Sequence, residues 1–254
     1  MAAEILLEKR ADRIAVLTLN RPNALNAIDR AMVQALRSAI RDIEADDTID
    51  VVIMAAAGEK AFCVGVDLKE RQTLSDDEAY AFRLGELFPM YEELEKRTKP
   101  AIAAVNGHCL AGGFELALSC DMILATERST FALPEVKWGL IPAAGGCRKL
   151  PKLIGTARAK ELILTAATID ASRAEHLGLI NRIVPDESLM DEALALARRV
   201  QANVQVAVRG AKRCIDHAMD MEHSTLFDIE VSTGCYAAKD RKDGIAKFAE
   251  RKLS

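Results

Sequence analysis

Three observations on the 254-residue chain predict an α/β fold. Short apolar strands alternate with amphipathic helical runs up to about residue 185. Half of all residues are apolar, enough for a sizeable core. Beyond that point only helical patterns remain. Alternation of this kind means largely parallel strands joined by crossover helices.

The elements follow in order. Ile14 to Leu19 reads as a strand, then Asn20-Arg21-Pro22-Asn23 as a turn. Asp29 opens a helix in which Met32, Val33, Leu36, Ile40 and Ile43 keep the 3.6-residue period. Asp50 to Ala55 is a second strand, almost wholly apolar. Ser75-Asp76-Asp77-Glu78 carries a capping-box pattern, so a helix begins there and runs towards Thr98. Pro89 must kink or split it. Pro100 to Val105 and Met122 to Ala125 are further strands, with a helix over Phe114 to Cys120 between them. A second capping box, Ser172-x-x-Glu175, starts a short helix that Leu177-Gly178 stops. The α/β pattern ends near Val184-Pro185-Asp186. That divides the chain into a core, 1–185, and a helical region, 186–254.

Charge and cysteine usage narrow the class. The net charge is −4 with both signs interspersed, and basic residues concentrate only between Lys239 and Lys252. General nucleic-acid affinity needs a clustered basic face, so it is not expected. Met1-Ala2-Ala3-Glu4 lacks the features of a signal peptide, and no apolar run approaches the roughly 18 residues of a membrane span. The six cysteines form no Cys-x-x-Cys pair and read as buried small apolar residues in a reducing compartment. The expectation is a soluble cytoplasmic protein without membrane partners.

Two short segments then deliver a glutamate beside an unusual turn. In Ala111-Gly112-Gly113-Phe114-Glu115, a glycine pair leads into a helix, where N–H groups are left without intrahelical acceptors. Alone, this is an ordinary strand-to-helix turn. The company of Glu115 is what distinguishes it, because Leu110, Phe114, Leu116 and Leu118 surround that carboxylate in sequence. Glu135 follows Pro134, and Ile141-Pro142-Ala143-Ala144-Gly145-Gly146 comes shortly after. In isolation Glu135 reads as a surface loop carboxylate and Gly145-Gly146 as a helix entry. Upstream, Gly65-Val66-Asp67-Leu68 puts a glycine before a helix start, leaving the Val66 N–H as a free donor and Asp67 as a helix cap.

Other chemistries lack their residues. There is no P-loop lysine pattern, no Gly-x-Gly-x-x-Gly and no Gly-x-Ser-x-Gly elbow. Histidines 108, 176, 217 and 223 share no i, i+4 spacing, so no metal site is expected.

Taken together and in order, these segments resemble the crotonase superfamily, the enoyl-CoA hydratase/isomerase family. The likeness runs from Leu19-Asn20-Arg21-Pro22-Asn23-Ala24-Leu25-Asn26 to Gly244-Ile245-Ala246-Lys247-Phe248 and beyond. It implies a spiral of ββα units followed by helices that build trimers or hexamers. It also implies a thioester enolate held by two main-chain amides, here Val66 and Gly112. Both acidic positions of the hydrating members are matched, by Glu115 and Glu135. The resemblance assigns Glu115 to orienting and deprotonating water and Glu135 to protonating the α-carbon.

For the remaining contacts with an acyl-CoA thioester, the resemblance implies Asn23, Ala24, Leu25, Gly65, Asp67, Leu68 and Lys69. In the tail it implies Phe248 and Arg251. Coenzyme A is then part of the substrate, and no separate cofactor is needed. Two departures bear on specificity: Ala143 stands where the family often has glycine, and Lys137-Trp138 where aliphatic residues are usual. The implied reaction is reversible hydration of a 2-enoyl-CoA. Alternatives with the same apparatus are a double-bond isomerase, a racemase-like dehydratase or a branched-acyl hydratase. A catalytically silent acyl-CoA-binding homologue would be a different class.

Overall fold

The computed structural model describes residues 3–220. Residues 221–254, Phe248 and Arg251 among them, lie outside the described residues.

Six strands form the main sheet: β1 (Ile5–Lys9), β2 (Ile14–Leu19), β3 (Val51–Ala56), β5 (Ala101–Val105), β7 (Met122–Thr126) and β10 (Arg182–Val184), side by side in that order. All neighbours are parallel except β1, which returns antiparallel on β2. The strands read as nearly continuous apolar runs because both faces are covered. Side chains alternate between faces with period two. Ala15, Leu17 and Leu19 face one core together with Val52, Met54, Ala103 and Val105. Ile14, Val16, Ile53, Ile102 and Leu124 face the other.

Helix α1 (Arg30–Ala45) covers the first face with its predicted stripe, and Asp29 caps it by accepting from the Met32 amide at 2.8 Å. Helix α9 (Leu189–Gln201) covers the second with Leu189, Ala193 and Ala197. The helices that follow residue 185 therefore begin by sealing the sheet, and α10 (Gln205–Asp220) continues from there.

The strand pattern read along the sequence picks out only the strands of this main sheet. A second sheet of short strands lies beside the first, in the order β4 (Ala61–Cys63), β6 (His108–Leu110), β8 (Thr130–Ala132) and β9 (Ile169–Asp170). Its neighbours are parallel except the β8–β9 pair. Each of β3, β5 and β7 turns directly into a strand of this second sheet before the next helix. That repeat is the ββα spiral. Phe62, Cys109 and Phe131 at the centres of the three short strands are completely buried, so the second sheet closes a core rather than decorating a loop.

The helix begun at Ser75 also differs in detail. The capping box forms, with Glu78 and Ser75 bonded reciprocally, and α3 spans Asp76–Phe82. A π-helical turn, Arg83–Leu87, then precedes α4 (Phe88–Glu95). Pro89 explains it: with no N–H to give the Gly85 carbonyl, the regular ladder is broken there. The Phe88 amide reaches back five residues to the Arg83 carbonyl instead. Ser172 does not cap its helix. Asp170 does, accepting from the Arg173 amide at 2.7 Å at the start of α8 (Ala171–His176). Glu175 accepts from the Ile183 amide on β10 instead.

Candidate active site

Two turns meet at the edge of the second sheet. One follows β4. Gly65 has φ +90°, and its carbonyl accepts from the Ile28 amide at 2.8 Å, while the Asp67 amide donates to the Ile28 carbonyl at 2.9 Å. Val66 is bracketed between those bonds as a parallel bridge to Ile28. In that pattern the flanking peptide groups pair with Ile28, and the Val66 amide turns the other way.

The second turn opens α5 (Gly112–Leu118). Its positive φ falls on Ala111 (φ 51°, ψ −131°), not on the glycines. The glycines serve close approach: a Cβ on Gly113 would sit 2.2 Å from the Cys63 carbonyl oxygen. Gly112 is the first helical residue, so its N–H has no intrahelical acceptor. A Cβ on Gly65 would lie 2.8 Å from the Ala111 Cβ and 3.0 Å from the Gly112 nitrogen, so the two turns are in contact. Neither the Val66 nor the Gly112 amide donates to an acceptor among the described residues.

Glu115, in the first turn of α5, is only 4% exposed. Its Oε1 accepts from the Gly146 amide at 2.9 Å, and the Ala144 amide also points to the carboxylate. Ala144 lies just before α6 (Gly146–Ile154), and Gly146 is its first residue. Burial drives its pKa up to about 7, helped by the nearby charge of Glu135 and opposed by the two amides. Glu135 begins a 3-10 turn, Glu135–Trp138. It is half-buried rather than on the surface, its pKa is raised by burial, and its Oε2 has no hydrogen-bond partner among the described residues.

One cavity of about 330 Å³ gathers Val66, Asp67, Leu68, Gly112, Glu115, Glu135, Trp138 and Ala143. Apolar side chains, among them Leu74 in the bend before α3 and Phe82, Leu87 and Phe88 from α3 to α4, form the rest of its wall. Trp138 is 69% exposed and stands at the mouth. Several residues expected near a ligand do not line it. Asn23 and Ala24 lie in a 3-10 turn, Pro22–Ala24, which Leu25 ends with φ 53°. Lys69 is exposed on α2 (Leu68–Arg71); Asp67, which does line the cavity, caps that helix through the Lys69 and Glu70 amides. Gly65 acts behind Val66.

Tyr91 was not legible in the sequence. It is buried on α4, lines the cavity, and its hydroxyl donates to the Gly112 carbonyl at 2.8 Å. Burial and the charge of Glu115 hold its pKa well above the usual value, so it remains a neutral donor. Among the described residues no three His, Cys, Asp or Glu side chains gather to hold a metal, and no helix is long and apolar enough to cross a membrane.

Glu115 carries a stability signature. Its folded pKa of about 7 lies above the ordinary carboxyl value of 4.5. The protonated form is therefore favoured by folding, and the associated stability, full below 4.5, is lost as pH rises through 7. Glu115→Gln cannot ionise. It should match the wild type in stability near pH 4 and exceed it at pH 9 by on the order of 3 kcal/mol. Denaturant unfolding at the two pH values measures this. An unchanged stability difference would mean that Glu115 is not a strained carboxylate.

The sequence profile of the family described as "Enoyl-CoA hydratase/isomerase" matches residues 9–254. The chain is 38% identical over 251 residues to a short-chain-enoyl-CoA hydratase of Clostridium acetobutylicum, covering 98% of this chain and 95% of that protein. It is 36% identical to a crotonyl-CoA hydratase of Syntrophomonas wolfei, covering 99% and 97%. The crystal structure of an enoyl-CoA hydratase from Bacillus anthracis superposes with a TM-score of 0.93 at 34% identity, over 98% of this chain and 96% of that one. Likeness along the whole length, in sequence and in the ββα spiral alike, places this chain in the enoyl-CoA hydratase/isomerase family, the crotonase superfamily.

Proposed function

We propose that this chain adds water reversibly to a 2-enoyl-CoA, giving a 3-hydroxyacyl-CoA. The observation that carries the reading is the convergence of two buried or half-buried glutamates and two uncommitted amides on one apolar cavity. The relatives named above as hydratases support it.

In this mechanism the Val66 and Gly112 amides donate to the thioester oxygen, where negative charge grows as the enolate forms. An oriented donor of this kind contributes roughly 2.7–4 kcal/mol to the transition state. Glu115 acts ionised. Held by the Gly146 and Ala144 amides, it orients a water and takes one of its protons as the hydroxyl bonds to the β-carbon. Glu135 acts protonated, a state that burial favours, and gives its proton to the α-carbon. The product then carries the water's hydroxyl and the Glu135 proton, while the water's own proton sits on Glu115. Return of the Glu115 proton to Glu135 resets the pair. The only cofactor-like group in the scheme is the coenzyme A of the substrate itself. Assembly into trimers or hexamers and a cytoplasmic setting belong to the same proposal.

The test is decay of the enoyl-thioester absorbance of crotonyl-CoA to an equilibrium, with 3-hydroxybutyryl-CoA as product. Saturable binding of enoyl-CoA esters without turnover of any of them would overturn the reading.

A further inference from the structure

Arg21 sits at a point the reaction scheme does not use, yet its guanidinium is engaged on every side. It pairs with Asp67 at 3.1 Å, Asp29 at 3.0 Å and Glu4 at 3.1 Å, and it donates to the Ala27 carbonyl. Its own backbone amide donates to Asn26 Oδ1 at 2.8 Å, and the Asn26 side-chain amide reaches the Ala61 carbonyl on β4 at 2.9 Å.

These contacts close a ring around the Ile28–Val66 bridge. On one side Arg21 holds Ala27 and Asp29, the residues directly before and after Ile28. On the other it holds Asp67, the residue directly after Val66. Asp67 is thereby fixed twice, through its amide to Ile28 and through its carboxylate to Arg21 and the first turn of α2. Val66 is thereby held from both sides of its bridge. We infer that Arg21 is a positioning residue that sets the direction of the Val66 amide, and so the polarisation of a bound thioester carbonyl.

The fork geometry of a guanidinium is what the ring requires. It meets separate acceptors in one plane, which a lysine ammonium does as a point charge only. The inference rests on the proposed grip of Val66 on the thioester oxygen, and the test separates the two. The probe is a CoA thioester of a conjugated aromatic enoic acid, whose absorption maximum moves to the red when its carbonyl is polarised. Full-length wild type should show that shift. Its absence would remove the grip, and the Arg21 inference with it.

With the shift present in wild type, Arg21→Met should shrink it and lower kcat roughly 10- to 100-fold, the scale of a sub-ångström to ångström misplacement. KM and the lower pH limb that reports Glu115 should hardly move. Arg21→Lys should restore part of both signals. Asp67→Asn keeps a capping oxygen, loses the charge pair with Arg21 and should reproduce the loss. That variant serves as the test if Arg21→Met does not fold. A full red shift in variants with reduced activity, or wild-type kcat in all three, overturns the inference.

Discussion

Glu115→Gln and Glu135→Gln should each lower kcat with a 2-enoyl-CoA by two to four orders of magnitude, the range a positioned acid–base group contributes. Neither change should disturb the fold. Glutamine at 115 keeps an oxygen for the Gly146 amide, and Glu135 Oε2 has no hydrogen-bond partner to lose among the described residues. Binding of a CoA ester, measured by calorimetry, should stay within a few-fold of wild type, since the amides and the apolar wall remain. The two losses should not add in the double variant, because residues that act as one unit are strongly non-additive. A single variant with near-wild-type turnover would take its residue out of the mechanism.

Gly65→Ala should have the second-largest effect, and through geometry alone. At φ +90° an alanine is strained, and here its methyl would press on the Ala111 Cβ and the Gly112 nitrogen. The two turns must part, and both proposed donors move with them. Loss of one such donor costs about 10²–10³ in kcat, so a fall of at least that size is expected. Gly178→Ala is the control. It has φ +77° at the end of α8 with nothing among the described residues within 4 Å of its would-be Cβ, so it shares the strain without the collision. That variant should lose stability and keep its turnover per folded molecule. Equal activity losses in both would show that strain, not the spacing of the two turns, is what matters.

The long elements and the glycine turns were legible because their causes are local. The stripe of α1, the cap at Asp29 and the reciprocal bonds of Ser75 and Glu78 are each written within a few residues. The second sheet was not, since three-residue strands are too short to display a period. The Ser172 pattern misled because Asp170, leaving β9, reached the free amides first. Even at the site the reason differed from the expectation: Ala111 carries the unusual dihedral, while Gly113 is needed for its missing side chain. Tyr91 and Arg21 escaped notice for the opposite reason to α1. Their partners, Gly112 and Asp67, are 21 and 46 residues away, and no spacing rule links them.

The π turn between α3 and α4 amounts to an extra residue written into a helix. It advances everything beyond it by about 100° relative to an unbroken ladder. Phe82 ahead of the turn, Leu87 at its end and Tyr91 behind it thereby look into the same chamber. A lineage that gained or dropped one residue here would remodel the cavity proposed for the acyl group in a single step, and Glu115 and Glu135, on other elements, would be left in place. Preference for one acyl group over another can thus drift separately from the chemistry.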